Sequence, residues 1–294
     1  MPQKEDRLNK ILNELEAEAK KINPTIERLR RIEEMKQKLK NYTGDDEIVT
    51  FQDIAHLKEE DTDNRMNTGY KPLDDIIKGF REGQMITITA PTGSGKTAFC
   101  LELTIRFKNL NPLWFSFEDS APELVDKFVS IGEEPPYALT PKYITNKNVD
   151  WIEERVVEAI GKYGTKVVFI DHLHHIVSMT SNHRYDLVVG DTVRKIRGIA
   201  QKWGVCIFLV AHIKHINVEH EPKISDIRDA SFIAQESDSV IVIWRVVEDT
   251  NEGINITDKA KISVQKNRKG GRLGYMYLMF KNNRYYEMDY IHKN

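Results

Sequence analysis

A chain of 294 residues, 40% hydrophobic and 30% charged, has room for one large domain plus a small appendage and is not a disordered polyelectrolyte. Its formal net charge of −2 excludes a polycation, so any contact with nucleic acid has to come from basic residues gathered locally. Two cysteines, Cys100 and Cys206, each inside an apolar run, exclude a disulfide framework and suit a reducing compartment. The start "MPQKEDRLNK" lacks the apolar core of a secretion signal and no run approaches a membrane span, so a cytoplasmic protein without membrane contact is expected.

Residues 1–45 are dense in Glu, Lys and Arg, and their apolar residues recur at helical spacing. Leu8, Ile11, Leu12 and Leu15 form one stripe; Ile26, Leu29, Ile32, Met35 and Leu39 form a second, after the Asn23-Pro24 start. A charged pair of helices is expected there, either packing on itself or serving an oligomer or partner. Residues 46–69 read as a linker with one short helix, capped by Thr50 and Asp53 and lined by Phe51, Ile54 and Leu57. Residues 70–294 change character to apolar strands alternating with helices, the pattern of an α/β fold.

The expected strands are "MITITA", "PLWFSF", "KVVFID", "VCIFLVA" and "SVIVIW", each apolar on both faces, as strands of a parallel sheet covered by helices are. Helices are expected after Lys96, around Trp151–Tyr163 and over Asp186–Lys202. From Lys259 the chain alternates around Gly270-Gly271 and Asn282-Asn283, which predicts antiparallel hairpins added to the sheet edge.

The first strand runs into "APTGSGKT", which meets G-x-x-x-x-G-K-[ST] except that Ala90 stands at the first Gly. Gly93, Ser94 and Gly95 let backbone N–H groups converge on a phosphate at the positive end of a helix. Lys96 is placed to reach the terminal phosphates of ATP, and the Thr97 hydroxyl to ligate Mg²⁺. The nucleotide is therefore expected on Thr92, Gly93, Ser94, Gly95, Lys96, Thr97 and Ala98. Asp171 ends the strand "KVVFID", where a metal-binding acid of such an ATPase belongs. Glu118, at the tip of "WFSFEDS", is the candidate general base, with Asp119 or Ser120 as helix caps. His212 ends "VCIFLVAH" beside Asp171's strand and is the candidate contact to the γ-phosphate. The remaining cluster, His172, His174, His175 and His215, has no Cys nearby and suits a structural role better than a zinc site.

In order along the chain come "TGYKPLDDIIKGFREGQ", "APTGSGKTAF", "FSFEDS", "VVFIDHLHHI", "LVAHIKH", "SDIRDASFIAQESDSVIVIWR" and "QKNRKGGRLG". This set, spanning Met66 to Tyr286, resembles the RecA-like helicase domain of the DnaB-type ring helicases, on the branch of Twinkle and the phage primase-helicases. The resemblance implies an ATP-dependent helicase that forms a hexameric ring, moves 5′ to 3′ on single-stranded DNA and works at a replication fork, cellular or viral. It makes Glu118 the catalytic glutamate, Asp171 the metal-binding aspartate and His212 the γ-phosphate sensor. Asp226, Arg228 and Gln235 fall in the family's fourth motif, with Gln235 coupling nucleotide state to the DNA loops. It implies that Arg245 packs on the adenine, and that Lys266 and Arg268 enter the neighbouring subunit's site, Arg268 as arginine finger. DNA contacts are expected from two loops, at Arg184 and at Lys214 and Lys223. The short front segment departs from the family and is left as a docking arm for replication partners, a collar or a remnant, without primase activity. A RecA-like recombinase, or a nucleotide-switched clamp or loader, remains open as the rival reading.

Overall fold

Runs rich in Val, Ile and Phe cannot leave their backbone unpaired in a core, and here they pair into one sheet. The computed structural model describes residues 65–131, 138–177, 185–214, 219–228, 230–250, 253–270 and 272–288, with a few isolated positions before residue 65. By its contacts the chain divides into two units, Met1–Lys58 and Glu59–Asn294, and the sheet belongs to the second. The expected helix pair and linker helix lie almost wholly outside the described residues; Phe51, which is described, is 92% exposed in a turn.

In chain order the elements are α1 (Lys71–Ile77), β1 (Met85–Ala90), α2 (Lys96–Arg106), β2 (Leu113–Ser116), α3 (Ala121–Ser130), α4 (Val149–Tyr163), β3 (Val167–Asp171), α5 (Tyr185–Trp203), β4 (Cys206–His212), α6 (Ala230–Glu236), β5 (Ser239–Thr250), β6 (Gly253–Asn267), β7 (Gly274–Lys281) and β8 (Arg284–Glu287). The sheet order is β2-β3-β4-β1-β5-β6-β7-β8. The strands β2, β3, β4, β1 and β5 run parallel, and β5 to β8 continue antiparallel. This is the mostly parallel α/β sheet with added hairpins that the sequence predicts.

Register builds the core. Trp114 lies opposite Phe169, and Phe169 opposite Phe208, so three rings stand side by side across β2, β3 and β4. Their centroids are 4.8 and 5.0 Å apart, a stacked row under α2. The indole N–H of Trp114 donates to Thr104 on α2 at 2.9 Å, so burial leaves it satisfied. On the opposite face, Ile152 and Val156 of α4 and Val189, Val193 and Ile196 of α5 cover Val168, Ile170 and Leu209.

One difference from the sequence reading is in the antiparallel half. β5 continues past Trp244 to Thr250, and β6 starts at Gly253, not near Lys259. Ile254 and Ile256 on this extension are exposed. A ribbon wet on both faces carries no apolar run to announce it. The β7–β8 turn behaves as expected: Asn282 and Asn283 take φ of 51° and 57°, the left-handed pair that asparagine tolerates in a two-residue hairpin.

Candidate active site

The chain leaves β1 at Ala90, turns through Pro91–Gly95 and enters α2 at Lys96. Gly93 and Gly95 take φ of 76° and 91°, a region glycine enters at little cost. That path puts the loop at the amino end of an 11-residue helix, where unpaired N–H groups and the helix dipole favour an anion. Lys96 folds back over the loop, donating from Nζ to the Ala90 carbonyl at 3.0 Å. Burial holds its pKa below the usual lysine value, opposed by the nearby Asp171 and Glu118 carboxylates.

The carboxyl ends of the parallel strands gather the other groups, as they do in open α/β sheets. Asp171 ends β3 and is 2% exposed; Thr97 Oγ1 donates to its Oδ2 at 2.9 Å. Burial pushes the Asp171 carboxyl up to about 6, although the Thr97 hydrogen bond pulls the other way. Glu118 is exposed two residues beyond β2, with Oε1 3.7 Å from Nε2 of His212 and 3.1 Å from Nδ1 of His172. His212 ends β4 directly opposite Ala90. Burial lowers its pKa first, and the Lys96 charge adds to the effect, so the ring is neutral near pH 7. Next to Glu118, Ser120 caps α3 through a reciprocal capping box with Glu123, while Asp119 pairs with Lys127.

Thr92, Gly93, Gly95, Lys96, Thr97, Ala98, Glu118 and His212 thus share one cleft of about 280 Å³. Leu101, Ile131, Phe280 and Asn283 line it as well, and the motifs did not point to them. Phe280 and Asn283 arrive because β8 packs on α2, bringing the β7–β8 turn to the Pro91–Gly95 loop. Tyr285 seals the contact, donating its hydroxyl to the Ser94 and Gly95 carbonyls at 3.2 and 3.1 Å. The aromatic run "MFKNNRYY" was the one available signal, and it shows apolar alternation without saying what it covers.

Arg245 sits at a register shift in the β5–β6 ladder, where a bulge re-aims side chains. Its guanidinium lies 4.8 Å from the Phe280 ring centre and donates to the Thr257 carbonyl. Gln235, Lys266 and Arg268 are not brought to this cleft. Asn267 pairs with Ser239, which pairs with Ile86, four residues or about 13 Å back along β1 from Ala90. There, Lys266 Nζ donates to the carbonyls of Ala234, Gln235 and Ser237, closing the carboxyl end of α6. Arg268 Nη2 donates to the Gln235 carbonyl at 2.9 Å, and the guanidinium lies 3.7 Å from Asp238.

Lys214 and Lys223 are exposed. Lys214 N donates to the Asp226 carbonyl and Arg228 N to that of His212, tying the end of β4 to the segment around Asp226. Glu221, in the same segment, is paired with Lys261 at 2.7 Å. Arg184 lies outside the described residues. The histidines converge more closely than the sequence suggests: the His172 ring centre is 3.9 Å from that of His212 and 4.4 Å from that of His175. Burial depresses the pKa of His172 to about 3 and that of His174 to about 4.

The family model for the DnaB-like helicase C terminal domain matches residues 65–137 and 138–287. A probable replicative DNA helicase of Trieres chinensis is 26% identical over 270 residues, covering 78% of this chain and 58% of its own. The replicative DNA helicase DnaB of Mycoplasma pneumoniae is 23% identical over 249 residues, covering 70% of this chain and 53% of its own. The chain thus spans about half the length of the curated relatives it matches. Among solved structures, one described as an ATPase domain superposes with a TM-score of 0.72 at 17% identity, covering 83% of this chain and 100% of that one. A DnaB-like replicative helicase studied with primase gives 0.69 at 17% identity, covering 97% and 77%.

Proposed function

The chain belongs to the DnaB-like helicase C-terminal domain family, and from that premise we propose an ATP-driven DNA helicase working as a head-to-tail ring of six subunits. The ring encircles single-stranded DNA and moves along it 5′ to 3′. The observation that carries this reading is a division of the chemistry between two ends of one sheet. Lys96, Thr97, Asp171, Glu118 and His212 meet at the carboxyl ends, while Lys266 and Arg268 sit at the opposite end. In this reading these basic groups, too far to serve their own cleft, complete another subunit's, and a heterologous contact that closes makes a ring.

In this reading the glycine loop and Lys96 hold the phosphates of ATP, and Arg245 with Phe280 forms the wall beside the base. Thr97 and Asp171 would hold Mg²⁺: a carboxylate this buried, with a hydroxyl oxygen beside it, suits a divalent cation. Held by these two residues, the ion would supply positive charge against the phosphates. Glu118 accepts a proton from the attacking water, and Arg268 of a neighbouring subunit stabilises the charge that develops on the γ-phosphate, an effect worth about 10³- to 10⁵-fold in related systems. His212 senses the γ-phosphate and passes its loss through the Asp226–Arg228 segment and Gln235 to the channel loops. Arg184, Lys214 and Lys223 bind DNA phosphates without reading sequence. Residues 1–45, whose structure lies almost wholly outside the described residues, serve in this reading as a docking arm for replication partners, and the primase studied with one structural neighbour is the kind of partner meant.

Unwinding of a forked DNA duplex tests the reading. The full chain with ATP and Mg²⁺ is expected to separate the strands. Lys96→Ala is expected to lose nucleotide affinity by about 10- to 100-fold, the worth of a charged hydrogen bond. Glu118→Gln is expected to keep nucleotide binding and lose about 10²- to 10⁴-fold in turnover. ATP hydrolysis without unwinding on any fork overturns the helicase reading in favour of a nucleotide-switched clamp.

A further inference from the structure

We propose that Glu118, His172 and His175 form a binding site for a divalent transition metal of the zinc type, whose occupation stops hydrolysis by withdrawing Glu118 from the attacking water. The second half of this inference rests on the reading of Glu118 as the base; the site itself does not.

The local fold creates the site. Beyond β3 the chain makes a single 3₁₀ turn, Leu173–His175, with His172 as its cap. Residues three apart eclipse in such a turn, so His172 and His175 share one side, and that side faces Glu118 at the tip of β2. One ligand atom from each of the three lies within 4.8 Å of the other two. Zinc–ligand bonds of about 2.0–2.2 Å set tetrahedral ligands about 3.3–3.6 Å apart. Nδ1 of His172 and Oε1 of Glu118 are already 3.1 Å apart. They are not aligned for a hydrogen bond, and the His172 nitrogen is buried without one. A separation of 3.1 Å is close to the spacing that two ligands of one zinc ion take. His172 is fixed by burial, while Glu118 and His175 are exposed and able to turn the remaining ångström.

The chemistry of the donors selects the ion. Two imidazoles and one carboxylate with a fourth position open are a zinc donor set, whereas Mg²⁺ prefers oxygen alone. The site is therefore distinct from the Thr97–Asp171 pair. His212, with Nε2 3.7 Å from Glu118 Oε1, is close enough to supply the fourth position.

Calorimetric titration of the full chain with ZnCl₂, without nucleotide, tests the site. One Zn²⁺ per chain is expected at this site. His175→Asn and Glu118→Gln should each weaken it at least about 10- to 100-fold, the loss usual for a mere outer-shell partner. His175 has no role in the proposed hydrolysis, so His175→Asn should keep its Mg²⁺-dependent ATP turnover and resist Zn²⁺ that silences the parent chain. Absence of binding, or binding that neither substitution weakens, overturns the site whatever the fate of the helicase reading. Binding that both substitutions weaken, with turnover untouched by Zn²⁺, upholds the site and overturns Glu118 as the base.

Discussion

Gly95 carries two separate constraints, and they make a prediction at the scale of one residue. Its φ of 91° costs a residue with a Cβ about 1–2 kcal/mol, and an added Cβ would also collide with the Tyr285 hydroxyl and stand 2.9 Å from Phe280. Gly93, at φ 76°, has nothing within 4 Å of that position. Gly95→Ala is therefore expected to lower the melting temperature clearly more than Gly93→Ala, and to impair nucleotide binding by displacing the β7–β8 turn. Equal effects in thermal melts would contradict the seal that Tyr285 makes. Residues of this kind divide into legible and illegible ones for a physical reason. Lys96, Thr97, Glu118, Asp171 and His212 follow directly from strand ends, so the sequence could place them in one site. Phe280, Asn283 and Tyr285 belong to it only because a distant hairpin packs on α2, and local pattern does not encode where a hairpin lands.

At the scale of elements, α4 and α5 are held together at one end by Glu153, which accepts from Lys202 Nζ and from the Trp203 indole, both at 2.8 Å. The Lys202 hydrogen bond, then that of Trp203, holds the Glu153 carboxyl below its ordinary value. A depressed carboxyl stabilises the fold above the unfolded-state pKa of about 4.3, and the contribution fades as pH falls through the folded-state value. Glu153→Gln should therefore cost about 0.5–1 kcal/mol at pH 7, discounted for the exposure of Lys202. The gap between variant and parent should close below about pH 4 in denaturant melts. A gap that persists at low pH would mean packing rather than charge supplies the difference. The longer helices and the five parallel strands were readable because each buries a face or two and so shows its period. α1 and α6, at seven residues each, are too short to show one. The outer part of the β5–β6 ribbon pairs only with itself and carries polar residues like a loop's, so its extent was not readable either.

For the whole molecule, one sheet presents the proposed nucleotide cleft at the carboxyl ends of its parallel strands and a cationic hairpin at the other end. The RecA-like architecture was legible from the order of the motifs, since successive βα units with a glycine-rich first turn admit few topologies. What no motif shows is the distance between the two ends, which separates Arg268 from the cleft of its own chain. The central claim is that each cleft is completed by the neighbouring subunit's guanidinium, and a mixing experiment tests it most directly. Lys96→Ala subunits keep Arg268 but cannot hold ATP productively; Arg268→Ala subunits keep the cleft but have no finger to give. Each alone is expected to hydrolyse ATP at about 10⁻³ of the parent rate or less on single-stranded DNA. Mixed one to one, they should regain a readily measured fraction of it, because some Arg268→Ala clefts then face an intact Arg268. A mixture as inactive as its components, or an Arg268→Ala chain as fast as the parent, would contradict the account.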